Sequence, residues 1–262
     1  MSNCSSVTRT GARSPSSPAK LIIDNCPLLI ERLVAGYPGR VLARNLFLCL
    51  PAPAFVAIVG HNGAGKTTLF RVLTGQLPYE GSVQLHGQEA RHLRRAARAG
   101  LLGYLPQRGS LGFAIAVREL VVMGRYRHHG LLSAYSAHDY ALADAALARV
   151  GMAHLAARDF TQLSGGEQQL VWLAQLSLQE AQVYLLDEPT QQLDPYYRRQ
   201  VFSLVHGWAV RDHKTVLCST HDLDNLTELT GCLLNLSEPA PQLRPLSPET
   251  VREAKQWLEQ AP

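Results

Sequence analysis

The chain has 262 residues, of which 46% are hydrophobic and 18% are charged, with a formal net charge of +4. This length is enough to bury a full hydrophobic core, and it fits one large domain or one domain with a subdomain. No apolar run approaches the roughly 20 residues of a membrane-spanning helix, so any work at a membrane would be done through partners. The small positive charge indicates a solvated surface, and we expect no nucleic-acid partner.

The N-terminal stretch is rich in Ser, Thr, Arg and Pro and lacks the apolar core of a signal peptide. We therefore expect residues 1–26 to be a disordered extension outside the fold. The five cysteines are Cys4, Cys26, Cys49, Cys218 and Cys232. They are scattered and no pair has the spacing of metal ligands, so we expect reduced thiols of a cytosolic protein.

Strands and helices alternate along most of the following chain. Short apolar or alternating segments predict strands at 28–34, 46–50, 55–59, 82–87, 101–105, 183–187, 215–220 and 232–236. Helices are predicted at 69–73, 117–126, 136–150, 167–179, 195–210, 223–229 and 249–260. Because this alternation is typical of parallel sheets, we predict an α/β fold with a mostly parallel sheet covered on both faces.

The alternation is interrupted where the pattern becomes helical. We predict an inserted helical subdomain over about 108–179, within one domain that spans 27–240. Residues 241–262 are predicted to be a C-terminal tail with a short helix. A basic stretch at 91–98 has the pattern of a charged helical face, and we do not assign it to nucleic-acid binding.

The segment GHNGAGKTT connects an apolar strand to a helix. Its residues are Gly60, His61, Asn62, Gly63, Ala64, Gly65, Lys66, Thr67 and Thr68. The spacing G-x-x-x-x-G-K-T is that of a phosphate-binding loop, whose glycines let backbone amides approach an anion at a helix N-terminus. Lys66 is expected to contact the β- and γ-phosphates, and the Thr67 hydroxyl to ligate Mg²⁺. An ordinary glycine-rich turn is the alternative, and the flanking strand and helix disfavour it.

A second group of candidate residues follows the strand 183–187. That strand ends in Asp187 and Glu188. Because ligands gather beyond the carboxyl ends of parallel strands, Asp187 is expected to hold Mg²⁺ through water and Glu188 to orient or deprotonate an attacking water. An acidic turn that caps a helix is the alternative.

The sequence LSGGE opens another predicted helix. Ser164 is a candidate N-cap, and Gly165 and Gly166 expose backbone amides. This is a second anion site, although one nucleotide needs only one phosphate cradle. Taken alone, the pattern is also typical of an ordinary capped helix.

Together these motifs resemble those of ATP-binding cassette (ABC) ATPases. GHNGAGKTT, the glutamine Gln107 after a strand, LSGGE, YLLDE and the isolated His221 occur in that family's order and approximate spacing over residues 28–236. The resemblance implies a P-loop ATPase core with an N-terminal antiparallel β subdomain and an inserted helical subdomain. It also implies ATP and Mg²⁺ as cofactors and a head-to-tail homodimer, in which residues 164–166 contact the γ-phosphate held by the other subunit.

The resemblance assigns roles to further residues. Tyr37 is similar to the aromatic residue that stacks on adenine, and Gln107 to the glutamine that senses Mg²⁺ and the membrane partner. Asp194 resembles the aspartate that communicates across the dimer. His221 resembles the histidine that holds the γ-phosphate and positions Glu188, although by itself it could be a surface histidine at a helix cap.

The chain departs from the family pattern at several places. His61 stands where proline is commoner, and Leu170 and Gln175 replace basic residues. Residues 191–193 read Gln-Gln-Leu where small residues are usual. Residues 235–239 replace the usual charged residue followed by glycine, and we expect this change to affect the sheet edge and not the chemistry. Every expected catalytic position is present, so we predict an active ATPase.

The segment 117–126 resembles the helical subdomain of importers for iron–siderophores, haem, cobalamin, or manganese and zinc. We therefore predict the ATPase subunit of an importer of a metal chelate, at the cytoplasmic face of the inner membrane. Its predicted partners are an integral-membrane permease, docked through residues 107–127, and a substrate-binding protein. The alternatives are a manganese or zinc transporter, an exporter with separate chains, a soluble ABC ATPase, and a regulatory module that binds nucleotide without hydrolysis.

Overall fold

The structure is a computed structural model that describes residues 26–37, 40–92, 100–107, 111–129 and 133–259. The predicted N-terminal extension up to residue 25 and most of the basic stretch 91–98 lie outside these ranges. The predicted domain bounds and the disorder of the extension therefore stay predictions.

A smaller sheet is built from the N-terminal part of the chain. Its strands are β1 (Leu28–Tyr37), β2 (Arg40–Leu50), β4 (Tyr79–Leu85) and β5 (Gln88–Glu89). They pair antiparallel in the order β2-β1-β4-β5. The antiparallel subdomain implied by the family resemblance is thus confirmed.

The larger sheet is the centre of the molecule. Its strands are β3 (Ala54–Val59), β6 (Leu102–Leu105), β7 (Val183–Asp187), β8 (Thr215–Ser219), β9 (Cys232–Asn235) and β10 (Leu243–Pro245). In the order β10-β9-β3-β8-β7-β6, all neighbours pair in parallel except the edge strand β10, which the sequence analysis did not predict. Every residue of β3, β7 and β8 is buried, as expected for parallel strands covered on both faces. The predicted α/β fold with a mostly parallel sheet is confirmed.

The α-helices in the described ranges are α1 (Lys66–Leu73), α2 (Val117–Val122), α3 (Ala137–Arg149), α4 (Gly165–Ser177), α5 (Pro195–Val210) and α6 (Pro248–Glu259). Buried residues of α1 share one apolar core with strands of both sheets, whereas α2 to α5 pack in a second core with the other face of the larger sheet. Within the described part of the chain, no helix combines the length and hydropathy needed to cross a membrane.

Two predicted helices differ from the structure. The segment 223–229 forms only a 3₁₀ turn, Asp224–Leu226, because Asp222 and Thr227 side chains bind nearby backbone groups and compete with helical hydrogen bonds. The helix predicted at 117–126 ends as α2 and continues as a 3₁₀ segment, Met123–His128. There Gly124 lies so close to the backbone of α4 that an added Cβ would be 2.2 Å from the Gln175 carbonyl oxygen.

The prediction of reduced thiols is wrong for Cys26 and Cys49, which form a disulfide with each other, and for Cys232, which is also disulfide-bonded. The antiparallel register of β1 and β2 pairs Leu29 with Cys49, which brings Cys26 to a Cα–Cα distance of 5.9 Å from Cys49. The two cysteines are 23 residues apart in sequence, so no local sequence pattern indicates that they are close in space. Cys218 is a free, buried thiol in the middle of the larger sheet, as predicted.

Candidate ATP site at the carboxyl edge of the parallel sheet

The predicted phosphate-binding loop joins β3 to α1. Gly65 occupies the N-cap position of α1 with φ of 100°, a left-handed conformation that favours glycine. No side chain caps the helix, so its first N–H groups remain available to an anion. At the start of the loop, a Cβ on Gly60 would lie 2.8 Å from the Ala64 side chain. The loop therefore has the backbone geometry that phosphate binding needs.

Lys66 points back into its own loop. Its Nζ donates to the Gly60 carbonyl at 2.7 Å, and it lies 3.0 Å from His221 Nε2 and 3.7 Å from Glu188 Oε1. Burial lowers the pKa of Lys66, while the charges of Glu188 and Asp187 raise it. The ammonium is thus held by oxygen atoms of the protein at the place where a γ-phosphate is expected.

Asp187 is the last residue of β7 and is almost fully buried. Its Oδ1 accepts a hydrogen bond from Ser219 Oγ at 2.7 Å, whereas its Oδ2 has no hydrogen-bond partner among the described residues. Burial raises the pKa of this carboxyl, and hydrogen bonding by Ser219 and Thr67 opposes the increase.

The carboxyl of Asp187 has one oxygen without a partner among the described residues and interacts with the Thr67 side chain, so these two residues fit a hard cation such as Mg²⁺, which prefers oxygen ligands. In the described ranges no group of three or more His, Cys, Asp or Glu side chains could hold a metal ion. Mg²⁺ at nucleotide sites takes most of its ligands from phosphates and water.

Glu188 follows Asp187 with its side chain only 11% exposed. One carboxylate oxygen lies 2.8 Å from His221 Nε2, and the other accepts from Gln107 Nε2 at 3.0 Å. The hydrogen bond from His221 is the main reason why the pKa of Glu188 is lowered, and burial opposes it. Since one ring nitrogen cannot accept from Lys66 and donate to Glu188 at once, we assign the Nε2 proton to the shorter, charged contact.

The LSGGE motif forms the start of α4, away from this cluster in sequence. Ser164 and Glu167 form a capping box, in which the Ser164 backbone N–H and hydroxyl both donate to Glu167 Oε2 at 2.8 Å. Gly165 faces open space, whereas a Cβ on Gly166 would lie 2.3 Å from the ring of Tyr197. Only glycine therefore fits at position 166 with this ring in place.

Tyr37 and Asp194 form hydrogen bonds with residues outside the cluster of Lys66, Glu188 and His221. Tyr37 is 40% exposed at the end of β1, and its hydroxyl accepts a hydrogen bond from Arg71 of α1 at 2.7 Å. Asp194 is the N-cap of α5 and accepts from the backbone N–H groups of Tyr196 and Tyr197. The roles that the resemblance assigns to both residues stay predictions.

The structure adds residues that sequence reasoning missed. Ser219 binds Asp187 and also accepts from the Glu188 backbone N–H at 2.9 Å. Ser237, in the segment expected to affect only the sheet edge, accepts from the His61 backbone N–H at 2.9 Å. Gln191 contacts Gln107, with 3.0 Å between the side chains. Of these three residues, only Ser219 could have been found from the sequence, because it is a polar residue at the end of a buried strand.

Comparison with known proteins agrees with this geometry. The model of the ABC transporter family matches residues 43–191. The hemin import ATP-binding protein HmuV of Pseudomonas aeruginosa is 37% identical over 231 residues, which cover 86% of this chain and 89% of that protein. The cobalamin import ATP-binding protein BtuD of Halobacterium salinarum is 38% identical over 206 residues, covering 76% of this chain and 51% of that protein, so the chain spans about half the length of this relative.

A solved structure extends the agreement to the backbone. An ABC transporter assigned to the metal-chelate type, in an inward-facing conformation, superposes with a TM-score of 0.77 at 29% identity, covering 91% of this chain and 90% of that chain. The family model spans more than half of the sequence, and the aligned relatives extend beyond it on both sides. The chain therefore belongs to the ABC transporter family and carries its ATPase domain.

Proposed function

We propose that this chain is the ATP-hydrolysing subunit of an ABC importer that takes up a metal chelate through a separate permease. The observation that carries the ATPase part is the convergence of Lys66, Asp187, Glu188 and His221 at one edge of the parallel sheet. These residues come from distant parts of the sequence, and each has the chemistry that hydrolysis of a phosphoanhydride requires.

Binding of ATP begins at the N-terminus of α1. The free N–H groups of the loop donate to the β- and γ-phosphates, and Lys66 exchanges the Gly60 carbonyl for phosphate oxygens. Thr67 and Asp187 are the residues that would hold Mg²⁺, which when bound neutralises charge that develops on the phosphate oxygens.

The water that attacks the γ-phosphate needs an ionised base beside it. Glu188 has this state because His221 and Lys66 stabilise its negative charge. The carboxylate orients the water and accepts its proton, while His221 holds the γ-phosphate and keeps Glu188 in place. Gln107 binds the second carboxylate oxygen, which limits rotation of the side chain.

The second anion site is explained by a homodimer. The N-terminus of α4, with Ser164, Gly165 and Gly166, would approach the γ-phosphate bound by the other copy of the chain. An open position at Gly165 leaves room for such a phosphate. Closure of the dimer around ATP would move the permease, and hydrolysis would reopen it.

The transported substrate is inferred from relatives rather than from this site, because the proposed role of the site is to bind ATP and not the transported substrate. The importers of hemin and cobalamin named above handle metal chelates, and the structural neighbour is of the metal-chelate type. We accordingly propose a permease, a substrate-binding protein and a position at the cytoplasmic face of the inner membrane. Transport of manganese or zinc is the second candidate.

The ATPase proposal is tested with Glu188→Gln, which removes the base and keeps the size of the side chain. We expect ATP binding to persist, turnover to fall by a factor of about 100 or more, and a dimer to accumulate with ATP. Glu228→Gln, an exposed carboxylate away from the site, is the matched control and should behave as wild type. Normal hydrolysis by Glu188→Gln would show that the base is another group.

The transport proposal is tested by co-purification from solubilised membranes. Recovery of a permease, followed by ATP-dependent uptake of a haem or ferric chelate in vesicles that contain both proteins, is the expected result. Uptake of Mn²⁺ or Zn²⁺ instead would favour the second candidate. Recovery with ribosomes or DNA would remove transport and leave the ATPase chemistry unaffected.

A further inference from the structure

Gln191 lies in the turn between β7 and α5, in the stretch where the sequence departs from the family pattern. Its Oε1 accepts a hydrogen bond from Gln107 Nε2 at 3.0 Å. The same Nε2 atom donates to Glu188 Oε2, also at 3.0 Å. One amide nitrogen therefore joins the carboxylate proposed as the base to the side chain of Gln191.

The backbone of the turn explains how Gln191 reaches this position. Glu188 and Gln192 have φ of 51° and 62°, both in the left-handed region. The Gln191 N–H donates to the Glu188 carbonyl at 3.1 Å, so the chain folds back on itself directly after β7. Gln191 is thereby brought next to Glu188, and a small side chain at this position would be too short to reach Gln107.

We propose that Gln191 is a positioning residue that fixes the amide of Gln107 and, through it, the carboxylate of Glu188. A primary amide has two N–H groups on one side and a carbonyl oxygen on the other. Rotation of the Gln107 amide by half a turn would place its oxygen against two acceptors, Glu188 Oε2 and Gln191 Oε1. Repulsion from Gln191 Oε1 adds to repulsion from Glu188 Oε2, so the rotated state is less favourable than it would be without Gln191.

The consequence for catalysis follows from the two oxygens of Glu188. His221 holds Oε1, and Gln107 holds Oε2. When both contacts are kept, the carboxylate has one orientation toward the water that it activates. Without the Gln191 acceptor, the Gln107 amide can still donate to Glu188, but it also adopts the rotated state more often. The expected loss of turnover is therefore about that of one neutral hydrogen bond.

The test uses Gln191→Met, which keeps the length of the side chain and removes the acceptor. We expect kcat for ATP hydrolysis to fall about three- to tenfold, with KM for ATP changed by less than about twofold. Gln192→Met is the matched control, since Gln192 is the exposed neighbour in the same turn, and it should keep the wild-type kcat. A wild-type kcat in Gln191→Met, or an equal loss in both variants, would overturn the proposal.

A double-mutant cycle separates positioning from a general effect on the turn. In the Gln107→Ala background, Gln191→Met should cause no further loss of kcat, because the group that it positions is absent. An undiminished loss in that background would show that Gln191 acts by another route and would overturn the proposal.

A spectroscopic measurement on the nucleotide-free protein tests the contact directly. The side-chain amide signals of Gln107 are assigned in a ¹⁵N-labelled sample by their loss in Gln107→Ala. These signals should shift in Gln191→Met and stay in place in Gln192→Met. Unchanged Gln107 signals in Gln191→Met would show that the hydrogen bond is absent.

This inference rests on the proposed role of Glu188, and the two can fail separately. Normal turnover by Glu188→Gln would reject the base itself. An inactive Glu188→Gln together with a wild-type Gln191→Met would reject only the positioning role.

Discussion

The phosphate-loop edge, where Lys66, Asp187, Glu188 and His221 meet, and the start of α4 are both proposed as anion sites, but they are built differently. At the phosphate-loop edge, the ends of β3, β7 and β8 bring Lys66, Glu188 and His221 together, and all the contacts depend on the parallel register of the sheet. At the start of α4, the capping box between Ser164 and Glu167 spans only three residues of sequence. The first site is a product of tertiary structure and the second is almost entirely local.

This difference explains why the first site is charged and closed and the second is open. Lys66 and Asp187 are nearly buried, and each polar group there must find a partner or a ligand. Gly165 is exposed and faces open space. We infer that the first site needs only nucleotide and its cation, whereas the second becomes a site when another copy of the chain supplies a phosphate.

The largest expected effect is at the phosphate-loop edge. Lys66→Ala removes the ammonium that contacts phosphate, and we expect ATP affinity to fall by a factor of about 100 or more and hydrolysis to become undetectable. Titration with a fluorescent ATP analogue measures the affinity. Lys214→Ala, at a half-buried position just before β8, is a control for the loss of one positive charge. Tight binding by Lys66→Ala would reject the phosphate-loop assignment.

The next effect separates the two sites. Gly166→Ala places a Cβ against the Tyr197 ring, so the start of α4 must shift. We expect turnover to fall by about tenfold or more while ATP affinity of the isolated chain stays close to wild type. The double variant with Tyr197→Ala should recover part of the turnover, because the ring that causes the clash is removed. Weakened ATP binding by Gly166→Ala alone would contradict the division between the sites.

A smaller effect is expected when the contacts of Ser219 with Asp187 and Glu188 are removed. Ser219→Ala removes the hydroxyl that donates to Asp187 and accepts from the Glu188 backbone. We expect a severalfold higher Mg²⁺ concentration for half-maximal ATPase activity, since the ligand carboxylate loses its orientation. Ser177→Ala, in α4, is a control with a hydroxyl bound only to backbone. An unchanged Mg²⁺ dependence in Ser219→Ala would show that Asp187 is held by other contacts.

The smallest effect concerns stability outside both sites. Hydrogen bonds from Ser136, with further contributions from His129 and Arg125, hold the pKa of Asp139 well below its usual range. A depressed pKa stabilises the folded state above the unfolded-state value of about 3.9, and this contribution is lost as pH falls toward the folded-state value.

Asp139→Asn should therefore lower the melting temperature by a few degrees at neutral pH. The difference from wild type should persist down to about pH 5 and shrink below about pH 4. Thermal unfolding followed by circular dichroism measures it. Asp144→Asn, which breaks an exposed pair with Arg118, should have a smaller effect, and a pH-independent difference in Asp139→Asn would contradict the ionic explanation.

The comparison also shows what sequence can predict. Loop spacing and strand ends were sufficient to predict the α/β fold and to select the residues that the structure brings together at the phosphate-loop edge. These features depend on residues that are near one another in sequence or on a family pattern. The disulfide between Cys26 and Cys49, and the contact of Ser237 with His61, depend on strand register and on how β9 ends. Such contacts are set by tertiary structure, so local sequence patterns do not predict them.

The position of Lys66 has a consequence for the order in which ligands arrive. Its single positive charge is surrounded by the Gly60 carbonyl and by the carboxylates of Asp187 and Glu188. A bare anion that enters this space meets two negative groups for one ammonium, and repulsion favours its departure. Free ATP and small anions such as inorganic phosphate should therefore compete poorly, and the nucleotide should arrive together with its divalent cation.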